Sequence, residues 1–132
     1  MRIARELYDE IVAHARAEAP NECCGVVAVN GDGDVQRVFP ALNKHASPLR
    51  FEIDGPDLIR IIDAMDEDDL ELSAIYHSHT RTPPVPSQTD VNYAEAWPGA
   101  LWLIVGLADG EPDVRTWSIE GERVTQVELV VI

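Results

Sequence analysis

Two histidines two positions apart, followed at fixed distances by a serine and an aspartate, constrain this chain more than any other feature: His77-Ser78-His79, then Ser87 and Asp90. The residues before His77, from Leu70 to Tyr76, alternate and are rich in apolar side chains, which predicts a strand. Side chains at i and i+2 share one face of a strand, so both imidazoles can converge on one ion. Asp90 arrives from the next element. Ser87-Gln88-Thr89-Asp90 also has the form of a capping box, with Ser87 as N-cap and Asp90 three residues on. Capping alone would explain those two residues, but neither the histidine pair upstream nor the acid at Glu22. Two neutral nitrogens and one carboxylate are the ligand set of a catalytic zinc site, whose fourth tetrahedral position stays open for water. The pattern points to an enzyme.

With 132 residues the chain is expected to form one domain, 1–132, large enough for a core without disulfides. No apolar run approaches the ~18 residues of a membrane span, and the N-terminal Met1-Arg2-Ile3-Ala4-Arg5-Glu6 lacks the apolar stretch of a signal peptide. A cytoplasmic location is the expectation. Cys23 and Cys24 are adjacent, which is neither a disulfide framework nor a zinc-ribbon spacing, and they are expected to be buried, inert thiols. The 24 acidic residues outnumber 10 basic ones, and Lys44 is the single lysine. A net charge of −14 repels nucleic acid and anionic membranes, so neither is expected as a partner. Such a surface suits a salt-rich cytoplasm, where added salt would screen self-repulsion and raise stability, or a basic protein partner. Both settings stay open.

Apolar residues at Ile3, Leu7, Ile11 and Ala15 predict an amphipathic helix from Ile3 to about Glu18, closed by Pro20. His14 falls near its C-terminal end, where a cation suits the helix dipole, and is expected to be structural. Cys24–Val29 and Val35–Phe39 form a predicted hairpin across Asn30-Gly31-Asp32-Gly33-Asp34. A loop carrying His45, which has no evident ligand partner, leads to Phe51-Glu52-Ile53. A second helix should start at Asp54 or Gly55 with Pro56 in its first turn, burying Leu58, Ile61, Ile62 and Met65. The acidic run Asp66–Asp69 reads as a solvated turn. A short helix is expected from Asp90 to about Ala96, then a central strand at Leu101–Val105, and two more strands at Val114–Ile119 and Val124–Val131. This order predicts an α+β fold, sandwich-like, with a mixed, mostly antiparallel sheet flanked by helices.

Glu22 with Gly25 and an apolar strand, then His77-Ser78-His79, seven residues, Ser87, two residues and Asp90, resembles the JAMM metalloprotease signature of the MPN-domain family. The pattern E…H-[ST]-H-x7-S-x-x-D is met at every fixed position, and the strand order over nearly all the chain is similar to the family fold, whose core is related to that of cytidine deaminases. The resemblance implies one Zn²⁺ per chain on His77, His79 and Asp90. It implies Glu22 as the base that takes a proton from water and returns it to the leaving amine. It implies Ser87 as donor to the oxyanion. Ser78 faces the other side of its strand and is assigned no chemistry. Thr80 stands where many members have proline, a departure expected to affect loop shape more than chemistry. The chain lacks the insertions of deubiquitinating members and is more similar to compact bacterial ones. Some of those cut after the Gly-Gly tail of ubiquitin-like sulfur-carrier proteins, releasing cysteine or trimming an extension. That is the expected substrate, with an exposed strand edge suited to an extended tail.

Two other classes compete. A metal-free MPN scaffold would be an interaction module, but members of that kind lack the ligands or the glutamate that this chain keeps. A non-haem Fe(II) oxygenase can be built on two histidines and a carboxylate, but gives Ser87 and Glu22 no clear role. A zinc nucleobase deaminase needs H-x-E and P-C-x-x-C, and both are absent. The sequence does not indicate an oligomeric state.

Overall fold

The computed structural model describes residues 1–132. In chain order the elements are β1 (Arg2–Ile3), α1 (Arg5–Glu18), β2 (Cys24–Val29), β3 (Val35–Ala41), α2 (Gly55–Glu67), β4 (Glu71–His79), α3 (Gln88–Ala94), β5 (Leu101–Gly106), β6 (Asp113–Glu120), β7 (Arg123–Val127) and β8 (Val130–Val131). Six strands form one sheet in the order β3-β2-β4-β5-β6-β7, and β1 pairs with β8 in a separate two-stranded ribbon. Within the large sheet only β4 and β5 run parallel, joined by a crossover through α3. The fold is the expected α+β arrangement, and β5 is central and almost wholly buried.

The pleat of β4 sorts its residues between two cores. Ala74 and Tyr76 pack with Ile11 and Ala15 of α1, together with Val27, Leu103 and Val105. Ile75 packs on the opposite face with Ile61 and Met65 of α2, Val91 and Ala94 of α3, and Trp102 and Ile104 of β5. Alternation therefore sends His77 and His79 toward the α2 and α3 layer, where α3 begins. Ser78 goes the other way and accepts a hydrogen bond from the Cys23 backbone N–H at 2.8 Å. In the β2–β4 register Cys24 lies opposite His77, so the residues just before Cys24 lie alongside His79.

Gly25 is fixed by this register. It pairs with Tyr76, and a Cβ there would run into the Tyr76 ring and stand 2.5 Å from the Phe39 carbonyl oxygen. Gly25→Ala is expected to lower stability by about 3 kcal/mol, the upper range for overpacking, as read from the urea midpoint.

Several expectations differ from the structure, among them the third helix, which begins at Gln88 rather than Asp90 because Ser87 caps it. Ile3 belongs to β1 rather than to the first helix: its carbonyl accepts from Ile132 N–H at 2.9 Å, while its side chain still joins the α1 core. The periodicity at Ile3 thus reported burial, not helical continuity. The expected strand Val124–Val131 is two strands, because the chain leaves the sheet after Val127 and β8 is captured by the N-terminal strand. Ile62 is 41% exposed, since the buried arc of α2 centres on Ile61 and Met65 and leaves Ile62 at its margin. Asp54 caps α2, and Pro56 lies in its first turn, as the sequence predicts. No helix is long and apolar enough to cross a membrane.

Candidate metal centre

Three elements meet at the C-terminal end of β4. His77 and His79 come from the strand itself, Asp90 from the third residue of α3, and Glu22 from the segment leading into β2. All four side chains are buried. The start of α3 is set by the capping box: Ser87 Oγ accepts from Asp90 N–H at 3.1 Å, and Asp90 Oδ2 accepts from Ser87 N–H at 2.9 Å. The cap thereby aims the carboxylate at the imidazoles.

The donor atoms form a tight triangle. Asp90 Oδ2 lies 3.1 Å from His77 Nε2 and 3.0 Å from His79 Nε2, and the two nitrogens are 3.2 Å apart. Two donors bound tetrahedrally at about 2.0–2.1 Å stand about 3.3 Å apart, so the triangle has the dimensions of three ligands on one small ion. Tautomer supports the same fit. His79 Nδ1 donates to the Pro83 carbonyl at 2.9 Å, which leaves Nε2 of the neutral ring as a lone pair. That lone pair faces a carboxylate oxygen and a second imidazole nitrogen at close range, an arrangement that a cation at the centre satisfies. The His77 ring is held by stacking on Phe51, with centroids 4.3 Å apart and planes inclined at 23°. Glu22, His77 and His79 also bring ligand atoms within 4.8 Å of one another, so a Glu/His/His cluster lines the same centre.

Burial opposes charge throughout this site, and the neighbours decide which groups overcome it. Asp90 is held well below the usual carboxylate range: burial pushes it up, but His77, His79 and the Ser87 N–H outweigh that. Burial lowers the His77 pKa, with Asp90 opposing. For His79 burial also disfavours the cation, but Asp90, the Pro83 carbonyl and Glu22 together raise its pKa. Glu22 is pushed up to about 8 by burial, with His79 opposing and Asp90 adding to the rise. Its Oε1 is buried without a hydrogen-bond partner. A desolvated carboxylate with an unused oxygen has the basicity of a proton acceptor near neutral pH.

Glu22 is positioned by its backbone. Its N–H donates to the Ser47 carbonyl at 2.9 Å, and its carbonyl accepts from Asn43 Nδ2 at 3.1 Å. Asn43 spends its whole hydrogen-bonding capacity here: Nδ2 also donates to Arg50 O at 3.0 Å, and Oδ1 accepts from His45 and Glu52 N–H groups. It ties the 43–52 loop to the segment that carries Glu22. A cleft of about 140 Å³ opens beside Glu22, lined in part by Asn21, Cys23, Leu42 and Ala46. On the other side, Thr80 Oγ1 donates to the Pro20 carbonyl at 3.0 Å and joins the histidine loop to the same segment.

Asn43, Phe51 and the Pro83 carbonyl had no signal in the sequence, because each acts across the fold and one is a backbone atom. An asparagine placed between Pro40 and Pro48 is the nearest thing to a cue. The other titratable residues stand apart. His14 shares a 2.7 Å hydrogen bond with Tyr76 Oη, and burial lowers its pKa against the pull of Glu18, so it is a neutral partner rather than the cation a helix end would favour. His45 lies 3.6 Å from Glu52 at the surface of its loop. Cys23 and Cys24 are buried and unbridged, and burial pushes the Cys23 thiol up to about 12.

The family described as prokaryotic homologs of the JAB domain matches residues 4–120. The CysO-cysteine peptidase of Mycobacterium tuberculosis is 34% identical over 132 residues, covering 98% of this chain and 90% of the relative. The probable TtuB-protein conjugate cleaving protease of Thermus thermophilus is 36% identical over 129 residues, covering 96% and 82%. A solution structure of a protein from Desulfitobacterium hafniense superposes with a TM-score of 0.90 at 30% identity, covering all of this chain and 93% of that one.

Proposed function

Because the chain belongs to the prokaryotic homologs of the JAB domain and is a JAMM-type metallopeptidase, we propose that it hydrolyses the amide bond after the C-terminal Gly-Gly tail of a ubiquitin-like sulfur-carrier protein. The bond cut would release cysteine or trim a C-terminal extension. The relatives named for cleaving CysO-cysteine and TtuB conjugates support this substrate class. The observation that carries the chemistry is the triangle of His77 Nε2, His79 Nε2 and Asp90 Oδ2, with sides of 3.0 to 3.2 Å, beside a buried carboxylate. We assign His77, His79 and Asp90 as holders of one Zn²⁺, in one domain spanning 1–132.

Zinc held there would supply Lewis acidity, bringing the pKa of a bound water toward ~7 and polarising the scissile carbonyl. The chain's own residues do the rest. Glu22 takes the proton from the attacking water on its free Oε1 and delivers it to the leaving amine. The water-poor walls around it keep that carboxylate basic. Ser87 accepts from Asp90 N–H through an oxygen lone pair, which leaves its O–H proton free to donate to the developing oxyanion. One hydroxyl thus serves as cap and as donor. Ser87→Ala is expected to lower kcat by about 10²–10³-fold with a smaller change in KM. Its separate loss of stability, about 1 kcal/mol for a missing cap, is read by urea unfolding. We place the activity in the cytoplasm, where two adjacent unbridged thiols stay reduced.

The test is incubation of the zinc-loaded protein with a ubiquitin-like carrier ending in Gly-Gly-Cys, followed by intact mass. Loss of one cysteine, dependent on Glu22, is expected. A carrier left intact, while an amide-linked Gly-Gly conjugate is also left intact, would rule out this substrate class.

A further inference from the structure

His79 is the ligand whose orientation depends on a loop, and that loop is anchored from β6. The Pro83 carbonyl accepts from His79 Nδ1 at 2.9 Å and from Val85 N–H at 2.8 Å, closing a three-residue turn around Pro84. The next carbonyl, that of Pro84, accepts from Trp117 Nε1 at 2.9 Å. Pro84 is buried although its neighbours Pro83 and Val85 are exposed. Its ring lies over Gly106 at the end of β5, where a Cβ would stand 2.7 Å from Pro84 Cδ. The ring fixes φ at Pro84 and the Val85 N–H bond to the Pro83 carbonyl fixes its ψ, so the two carbonyls move as one unit. The indole bond is not a general property of this core, because Trp97 and Trp102 have buried Nε1 atoms without a partner.

Resting on the metal-site reading above, we propose that Trp117 is a positioning residue for the metal centre: its indole N–H locks the Pro83-Pro84 unit, whose first carbonyl holds His79 as the Nδ1–H tautomer with Nε2 turned to the metal. The Trp117 indole N–H bonds the Pro84 carbonyl and none of the three ligand side chains. It acts through one peptide unit, by the same logic as the outer partners that orient metal-bound histidines. Ring packing is not the active feature, so a phenylalanine, which keeps an aromatic ring but has no N–H donor, cannot replace it.

The experiment compares the full-length protein with Trp117→Phe in three readouts. Zinc affinity, by competition with a chromophoric chelator, is expected to weaken about tenfold, the lower end for loss of an outer partner. In zinc-loaded Trp117→Phe protein, where the metal occupies Nε2, the His79 Nδ1–H resonance is expected to lose the downfield position of a proton bonded to the Pro83 carbonyl. The urea midpoint controls for folding. A folded Trp117→Phe protein with unchanged zinc affinity and an unchanged His79 Nδ1–H resonance would overturn the proposal. Should the variant not fold, the native protein decides: the Trp117 indole N–H resonance should shift on zinc addition while those of Trp97 and Trp102 do not, and an unresponsive Trp117 would overturn it. His79→Ala separates the two claims. Native protein that binds zinc no better than His79→Ala refutes the metal site itself, whereas tight native binding with a silent Trp117 refutes only the positioning role.

Discussion

Glu22→Gln is expected to retain about one zinc per chain and to lower kcat by about 10²–10⁴-fold, the contribution of a positioned general base. Glutamine keeps the size of the side chain and leaves both backbone bonds, to Ser47 O and from Asn43 Nδ2, in place. What it loses is the capacity to take a proton on the buried, unpartnered Oε1. Stability should not fall. A carboxyl pushed up to about 8 by burial disfavours the folded state wherever the unfolded chain would ionise it, so a neutral amide relieves that cost above the ordinary carboxylate range. Single-turnover cleavage with zinc content measured on the same sample checks this. Retained hydrolysis would remove Glu22 from the mechanism.

Asp90→Asn is expected to weaken zinc binding by more than the roughly 10–100-fold that loss of an outer partner brings, and to abolish hydrolysis. Asp90 Oδ2 does two jobs, facing both Nε2 atoms and accepting from Ser87 N–H. An asparagine oxygen still accepts that N–H and preserves the helix start, but it offers no negative charge to a cation. Asp90→Ala removes both functions and should cost about 1 kcal/mol of capping in addition. Equilibrium dialysis against zinc, paired with urea unfolding of the three proteins, separates ligand from cap. Equal zinc affinity in native protein and Asp90→Asn would exclude the carboxylate as a ligand.

Much of the candidate site was legible because its parts are close in sequence. His77, His79, Ser87 and Asp90 lie within one strand–loop–helix passage, where spacing on a strand and a capping box dictate direction. Glu22 was visible through family resemblance, since nothing local marks it out from the chain's other acids. The supports were not legible. Phe51 against His77, Asn43 beneath Glu22 and the Pro83 carbonyl on His79 depend on tertiary approach, and a backbone oxygen has no letter in a sequence. In the fold, patterning identified buried positions better than it identified elements. Ile3 was rightly apolar but sits in a strand, and Val124 to Val131 was rightly extended but is shared between two sheets. Each boundary was decided by pairing between the chain ends, which periodicity does not encode.

The measurement that bears most directly on the centre is the metal content of purified protein beside His77→Ala after incubation with limiting zinc. His77 is wholly buried, with Nε2 3.1 Å from Asp90 Oδ2 and 3.2 Å from His79 Nε2, so its loss removes one corner of the triangle. About one zinc per chain in the native protein, and none in His77→Ala, is the expected result for three protein ligands on one ion. Iron in place of zinc would turn the same ligands toward oxygenase chemistry. No bound metal in the native protein under any condition would contradict the central claim and leave a complete set of ligands serving as an interaction scaffold.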